Sequence, residues 1–538
     1  MNSQEFKDKA IALIDDLKAV CRDHGLGNDG NEFKIITQAF LYKFLNDKFA
    51  YEAKRIDPSL SKSKSWEDTI RTMPKEKYEL ILMQLDASTA RLKPEHFLST
   101  LWGRQNDKDF ADLLDETLKD IATFNTDIFS VKTNDGQKIV LFDAITRYVS
   151  SERDRFAKAI INKLIPFSFE HIFEEKFDFY ATLFEYLIKD YNKDSGGKYA
   201  EYYTPHSVAK IMAACLVPDS VKNVTCYDPA AGSGTLLMNL AHAIGENRCT
   251  IYTQDISQKS SSLLRLNLIL NNLVHSIPNV IQGNTILEPY HKDGAKLKKF
   301  DFIVSNPPFK LDFSDHRDQL DSKENKTRFF AGIPKVPSKE KGKMAIYLLF
   351  IQHIIHSLTP KGRAAIVVPT GFITAQSGIE KTIREHLVKN KMLGGVVSMP
   401  SNIFATTGTN VSILFIDATN NGKVVLVDAS NLGVKIKEGK SQKTVLNPNE
   451  ELQIIETFNS KKTVDDFSVV VSYDAIEAKN YSLSAGQYFD INVEYEKISP
   501  SEFDAKMKKI SSSLEQLFED SKLIEAEIKK QITKLRSE

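Results

Sequence analysis

At 538 residues the chain is long enough for several domains, and its 42% hydrophobic and 26% charged content is that of ordinary globular protein. Seventy-one basic residues balance 71 acidic ones, so no global field draws the chain onto a polyanion, and any contact with one needs a local surface or a partner. Cys21, Cys215, Cys226 and Cys249 are widely spaced, offer no metal-ligand spacing and read as reduced thiols. The opening residues lack the apolar run of a signal peptide. The most apolar helical segment, Ile346–Leu358, contains Gln352, His353 and His356 and is too short to cross a bilayer. A soluble, cytoplasmic protein with no membrane contact and no metal is expected.

Residues 1–165 carry many helical signals and few strand signals. Phe33, Ile36, Phe40 and Phe44 recur at three- and four-residue steps, and similar patterns run through Tyr78–Leu85, Phe110–Phe124 and Ala144–Leu164. This is expected to be a helical domain, either a cap that touches a partner or a bundle packed on the next domain. A polar break at Asp194-Ser-Gly-Gly197 then opens into Lys198-Tyr-Ala-Glu-Tyr-Tyr-Thr-Pro205. Thr204 is placed to cap the following helix, His206–Leu216, with Pro205 at its first position. Tyr199, Tyr202 and Tyr203 can be core or can wall a pocket for a flat ligand.

Val224-Thr-Cys-Tyr-Asp-Pro-Ala-Ala-Gly-Ser-Gly-Thr235, followed by the apolar Leu236–Ile244, predicts strand, glycine turn and helix, the first half of a nucleotide-binding unit. Gly232 and Gly234 let the backbone approach a ligand. Asp228 stands where a phosphate-binding turn would carry no acid, and it suits a ligand with a cationic amino-acid end. A second strand ends at Asp255, about the distance from the glycine turn at which such units set an acid on ribose hydroxyls. A third strand, within Asn279–Ile286, carries Asn284, whose amide can meet an adenine edge.

The fourth strand is Phe300-Asp-Phe-Ile-Val-Ser-Asn-Pro-Pro-Phe309. Its β-branched run reads as a buried strand, and Pro307 and Pro308, which cannot donate to a ladder, end it. Asn306, placed before a proline, is held extended. The turn presents the Asn306 amide, the Pro307 carbonyl and the Phe309 ring: two acceptors and a stacking face for a planar exocyclic amine. Such a short motif is also compatible with an ordinary strand-to-loop turn and a capping asparagine. Alternation continues through Met344–Leu358, Arg363–Val368, Ile379–Lys389, Gly394–Ser398 and Val411–Ile416. The fold class is therefore α/β, a doubly wound, Rossmann-like sheet, with ligands expected beyond the carboxyl ends of its strands. Asp228, Asp255, Asn284 and Asn306 all fall there.

The segment Leu311–Lys343 is long, charged and contains Pro and Gly, and is expected as a solvated loop, with lysine and arginine contacts to a phosphate backbone as the alternative. Past the sheet, short strands at Val424–Asp428 and Phe467–Val471 flank a helix at Glu450–Thr457. From about Ser501 to Leu535, Met507, Ile510, Leu514, Leu517, Ile524, Ile528 and Leu535 form a coiled-coil-like stripe, which fits a partner-docking helix or one folded back on its own chain.

Glu201-Tyr-Tyr-Thr-Pro205, Asp228-Pro-Ala-Ala-Gly-Ser-Gly234, Gln254-Asp-Ile256, Gly283-Asn-Thr-Ile286, Ser305-Asn-Pro-Pro-Phe309 and Asn402-Ile-Phe-Ala-Thr-Thr-Gly-Thr-Asn410 together closely resemble the modification (methyltransferase) subunits of type I DNA restriction-modification systems. The match runs from Lys198 to Ile416, and the helical ends of the chain look similar too. Ala231 departs from a frequent cysteine of that family, and Asn284 from a common aspartate. The resemblance implies an S-adenosylmethionine-dependent adenine-N6 DNA methyltransferase that flips its base out of the duplex. It implies catalytic roles for Asn306, Pro307, Pro308 and Phe309, and cofactor contacts from Tyr199, Tyr203, Thr204, Pro205, Asp228, Ala230, Gly232, Ser233, Gly234, Asp255, Ile256, Asn284, Thr285 and Asn306. Its expected partners are DNA, a specificity subunit docked on the C-terminal helix, a second copy of the chain and a restriction subunit. The expected divisions are a helical domain at 1–165, the methyltransferase domain at 166–420, an accessory extension at 421–499 and the C-terminal helix at 500–538. Related Pro-Pro-aromatic sites act on cytosine N4 or protein glutamine, and a non-catalytic assembly subunit keeping this fold is a further alternative.

Overall fold

The computed structural model describes residues 3–27, 30–173, 186, 204–217, 220–404, 410–438, 441–489 and 499–537. They fall into two compact units, Met1–Tyr488 and Phe489–Glu538. Short strands β1 (Val131–Thr133) and β2 (Lys138–Ile139) precede β3 (Val224–Asp228), β4 (Cys249–Asp255) and β5 (Val280–Gln282). After the small β6 (Lys292–Asp293) and β7 (Lys296–Leu297) come β8 (Phe300–Ser305), β9 (Leu358–Pro369), β10 (Leu393–Ser398) and β11 (Val411–Asp417). Then follow β12 (Val424–Asp428), β13 (Val434–Glu438), β14 (Ser441–Val445) and β15 (Ser468–Val471).

Eleven of these strands form one sheet in the order β15-β12-β10-β11-β9-β8-β3-β4-β5-β1-β2. From β1 to β9 the neighbours pair in parallel, while β11 runs antiparallel between β9 and β10. The chain enters at β3, steps outward to β4 and β5, and returns to the other flank of β3 with β8. That reversal opens a crevice at the carboxyl ends of β3 and β8, where ligands of doubly wound sheets bind.

Alternate residues of each strand face opposite layers. Cys226, Phe302, Val304, Ala365 and Val367 pack with the helices His206–Leu216, Thr235–Ile244 and Gln258–Leu270. The opposite face carries Tyr227, whose hydroxyl meets His353 Nε2 at 3.2 Å on the helix Tyr347–Ser357. The helix His206–Leu216 forms where expected, but Pro205 occupies its cap position and no side chain caps it. Thr204 is not the cap, because its hydroxyl is engaged elsewhere.

The first 165 residues are mostly helical, around an aromatic core that includes Phe40, Phe44, Phe97 and Phe156. This region also donates β1 to the sheet. The buried Arg265 guanidinium secures that junction by donating to the carbonyls of Phe129, Ile139, Val140 and Leu141. The helical region is thus packed against the sheet, and Asn134, just past β1, lies so close over Gly283 that a Cβ there would sit 2.0 Å from its Oδ1.

Leu311–Lys343 is not wholly solvated. Phe313, Leu320 and Phe329 are buried with Met344, Ile346 and Ile286 in a small second core. The elements inside it are three- and four-residue turns, too short to leave a period in the sequence. In the second unit, the helix Pro500–Ser537 is 38 residues long and exposes Met507, Ile510, Leu514, Leu517, Ile524 and Ile528. Among the described residues no helix is long and apolar enough to cross a membrane.

Candidate active site

The Asn-Pro-Pro-Phe turn leaves β8 directly beside the end of β3. Ser305, fully buried, donates its hydroxyl to Asp228 Oδ1 at 2.9 Å, and the Ala230 N–H reaches the same oxygen at 2.9 Å. Burial pushes the Asp228 carboxyl up to about 7 against these two hydrogen bonds, with the Asp255 charge adding to the rise. A carboxylate so placed gains strongly from a cation.

Asn306 Nδ2 donates to Thr204 Oγ1 at 3.1 Å. This commits the amide's donor end to the protein and leaves Oδ1 as an acceptor. Among the described residues no donor occupies the Pro307 carbonyl. Phe309 is half-buried and held edge-on by Tyr347, ring centres 6.1 Å apart, with Tyr347 in turn edge-on to Phe372 at 6.3 Å. Two acceptors and a braced ring thus share one corner of the sheet edge.

The glycine turn wraps from Asp228 to the helix Thr235–Ile244. Gly232 and Gly234 have φ of 52° and 85°, a region that strains other residues. At Gly234 a Cβ would also lie 2.2 Å from Leu264 Cδ1. Ser233 is buried, with its carbonyl taken by Asn267 Nδ2 at 2.9 Å. Asp255 fixes the turn: Oδ2 accepts from Gly232 N and Oδ1 from Ser257 N, both at 2.8 Å. Burial raises its pKa while those two N–H groups oppose the rise. Next to it, Ile256 is 68% exposed, an apolar surface open at the lip of the crevice.

Asn284 folds its Oδ1 back onto the N–H groups of Ile286 and Leu287, at 3.0 and 3.2 Å, leaving Nδ2 as the group free to donate. Thr285 is buried and gives its hydroxyl to the Pro229 carbonyl at 2.7 Å, tying this loop to the glycine turn. The sequence-based expectations therefore converge: Thr204, Pro205, Asp228, Ala230, Gly232, Ser233, Gly234, Asp255, Ile256, Asn284, Thr285 and Asn306 through Phe309 line one edge. Tyr199 and Tyr203 lie outside the described residues.

Three residues escaped sequence reasoning. Ser305 stands inside the catalytic motif, but its service to Asp228 shows only in the fold. Tyr347 gave no signal beyond opening an apolar helix. Arg328, 4% exposed, donates through Nη2 to the Ile286 carbonyl, so the 311–343 segment is latched to the wall of the nucleotide crevice. Among the described residues its Nε has no hydrogen-bond partner, and burial lowers its pKa to about 10.

The donor set fits a nucleoside carrying an amino-acid tail: buried acid, two-fold acceptor at Asp255, apolar lip and close-approach glycines.

Comparison with known proteins agrees. The chain is 27% identical over 539 residues to the type I restriction enzyme MpnII methylase subunit of Mycoplasma pneumoniae, covering 93% of this chain and 92% of that one. It is 27% identical over 387 residues to the MjaIX methylase subunit of Methanocaldococcus jannaschii, covering 69% of this chain and 65% of the relative. Its fold matches that of a type I restriction-modification methyltransferase subunit from Streptococcus thermophilus, with a TM-score of 0.72 and 22% identity over 91% of this chain and all of that one. The N-6 DNA methylase family model matches residues 175–497, and with the Asn-Pro-Pro-Phe turn seated against Asp228 the chain belongs to that family of adenine-specific DNA methyltransferases.

Proposed function

We propose that this chain is the modification subunit of a type I restriction-modification complex, acting in the cytoplasm and methylating adenine N6 with S-adenosylmethionine. The observation that carries the reading is the pair of contacts at the β3/β8 crevice, Ser305 to Asp228 and Asn306 to Thr204, which sets the amine-binding turn beside the nucleotide turn. When bound, the cofactor supplies an electrophilic methyl group on a sulfonium. Asp228 would hold its ammonium end, Asp255 its ribose hydroxyls, Ile256 a face of its adenine, and the Asn284 Nδ2 an acceptor on that ring.

An adenine inside a duplex cannot reach this crevice, so the base enters flipped out of the stack. Phe309, braced by Tyr347, stacks on it. Asn306 Oδ1 and the Pro307 carbonyl accept its two amine protons, which favours a pyramidal, more nucleophilic nitrogen over one conjugated with the ring. Pro307 and Pro308 keep these acceptors in place, and fixing the amine in line with its reaction partner supplies most of the acceleration. Thr204 orients Asn306 without touching the base.

Target sequence is read by a separate specificity subunit. This agrees with the balanced charge of the chain and with the exposed apolar stripe of Pro500–Ser537, which docks that partner; a second copy of the chain and a restriction subunit complete the assembly. The test is radiolabelled methyl transfer to a duplex by the chain with its specificity partner, followed by identification of the methylated base. N6-methyladenine supports the reading; a methylated cytosine, or transfer to protein only, refutes it.

A further inference from the structure

The hairpin of β13 and β14 leaves the sheet at the same edge as the catalytic turn. Its stem follows β12, whose last residue, Asp428, pairs with Ser398 at the end of β10. Thr444, buried in β14, donates its hydroxyl to the Ser401 carbonyl at 2.6 Å and its N–H to Asn402 at 3.0 Å. Gly433, with φ of 86°, closes the base where a Cβ would press on Thr444 Cγ2 at 2.6 Å. The hairpin is thus anchored on the segment that follows β10, beside the site.

Its composition is unlike the balanced whole. Between Val434 and Val445 stand Lys435, Lys437, Lys440 and Lys443 against a single acid, Glu438. The cross-strand pairs Lys435 with Thr444 and Lys437 with Gln442 put two lysines on the face that Thr444 turns toward Ser401. Among the described residues none of Lys435, Lys437 and Lys443 has an ion-pair partner. Nearby acids are occupied: Asp428 accepts from Ser430 N, and Glu450 from Gly433 N and Asn447 N.

We propose that this hairpin is a phosphate-backbone clamp that holds duplex DNA flanking the flipped base, an inference that rests on the DNA-methylating reading above. From β8 to β12 there are four strand steps, β8-β9-β11-β10-β12, which at about 4.8 Å each set the hairpin roughly 19 Å to one side of Asn306. At about 3.4 Å per phosphate along one strand, that reaches a backbone some five or six nucleotides from the target base. Lysines at that distance carry no base readout; they fix the position of the duplex and add affinity that salt removes.

The test is the salt dependence of binding of the full chain to a random-sequence duplex, followed by fluorescence anisotropy. Replacing Lys435, Lys437 and Lys443 together by Gln is expected to lower the slope of log affinity against log salt by about 2, since each phosphate contact contributes about 0.9 and Lys435 and Lys437 share one face while Lys443, paired with Ile436, stands on the other. The Lys→Arg triple at the same positions keeps the slope. Lys361→Gln, Lys391→Gln and Lys423→Gln together remove equal charge from the opposite edge of the sheet and leave the slope unchanged. An unaltered slope in the hairpin triple, or an equal loss in the opposite-edge triple, overturns the clamp. Methyl transfer by the wild-type chain is the separate readout: if it persists while the hairpin triple keeps the full slope, the clamp fails and the enzymatic reading stands. A wild type that neither binds a duplex at low salt nor, with its specificity partner present, methylates adenine overturns both.

Discussion

With Asp228 in the proposed cofactor-holding role, cofactor binding is expected to depend on pH in a direction fixed by the burial of its carboxyl. Its carboxyl titrates near 7 in the folded chain and near 3.8 when exposed, because desolvation outweighs the hydrogen bonds from Ala230 N and Ser305. At 1.36 kcal/mol per pKa unit, the ionised form is disfavoured by about 4 kcal/mol, a cost that an adjacent ammonium offsets. Cofactor binding therefore expels a proton below about pH 7, and affinity rises by up to about tenfold per pH unit between roughly pH 5 and 7 before levelling off. The free protein shows the reverse trend. A carboxyl whose folded pKa is raised contributes stability that is full below about pH 4 and is lost as pH climbs to about 7. Titration calorimetry of S-adenosylmethionine in two buffers of different ionisation enthalpy reads the expelled proton directly, with Asp228→Asn as the control that abolishes it. Affinity that is flat from pH 5 to 7 with no buffer dependence, or an Asp228→Asn variant that binds like wild type, refutes the role given to this carboxyl.

Thr204→Val frees the Asn306 amide to rotate and is expected to cost about 1 kcal/mol of barrier, roughly fivefold in kcat at saturating cofactor; unchanged single-turnover rates contradict the orienting role. Arg265→Ala strips four backbone carbonyls of their donor at the junction of β1 with the sheet, and a loss of about 3 kcal/mol in denaturant unfolding is expected. Arg328→Met unlatches the 311–343 segment from Ile286, and cofactor affinity is expected to fall about tenfold by calorimetry while Arg328→Lys recovers part of it. Gly234→Ala is expected to lower thermal stability by about 1 kcal/mol or more, from positive φ together with the clash on Leu264.

What the sequence makes legible is what is local. The run Phe302-Ile-Val-Ser-Asn-Pro-Pro dictates strand then stop through residue chemistry alone, and the glycine turn after Asp228 needs positive φ at Gly232 and Gly234. Their meeting at one edge follows from counting strands and helices. The contacts that finish the site cross long stretches of chain and leave no local trace: Thr204 and Asn306 stand 102 residues apart. Thr204 was expected to cap its helix because Thr before Pro favours that use, but the Asn306 amide claims the hydroxyl instead. In Leu311–Lys343, Phe313, Leu320 and Phe329 are spaced too unevenly to show a helix or a strand, and their burial follows only from the pocket that Ile286 and Met344 provide. β1 is similarly hidden, since three residues carry no period and only pairing with β5 and β2 makes them a strand.

The central claim is that Asn306 presents an acceptor to a flipped adenine amine, and that any contact it makes with the cofactor adds little to cofactor affinity. Its most direct test is Asn306→Ala, with methyl transfer to a duplex measured alongside S-adenosylmethionine affinity. Loss of one preorganised polar contact is worth about 3 kcal/mol, so transfer should fall at least about a hundredfold while affinity stays close to that of wild type. Transfer at near wild-type rate, or loss of cofactor binding in step with activity, contradicts it.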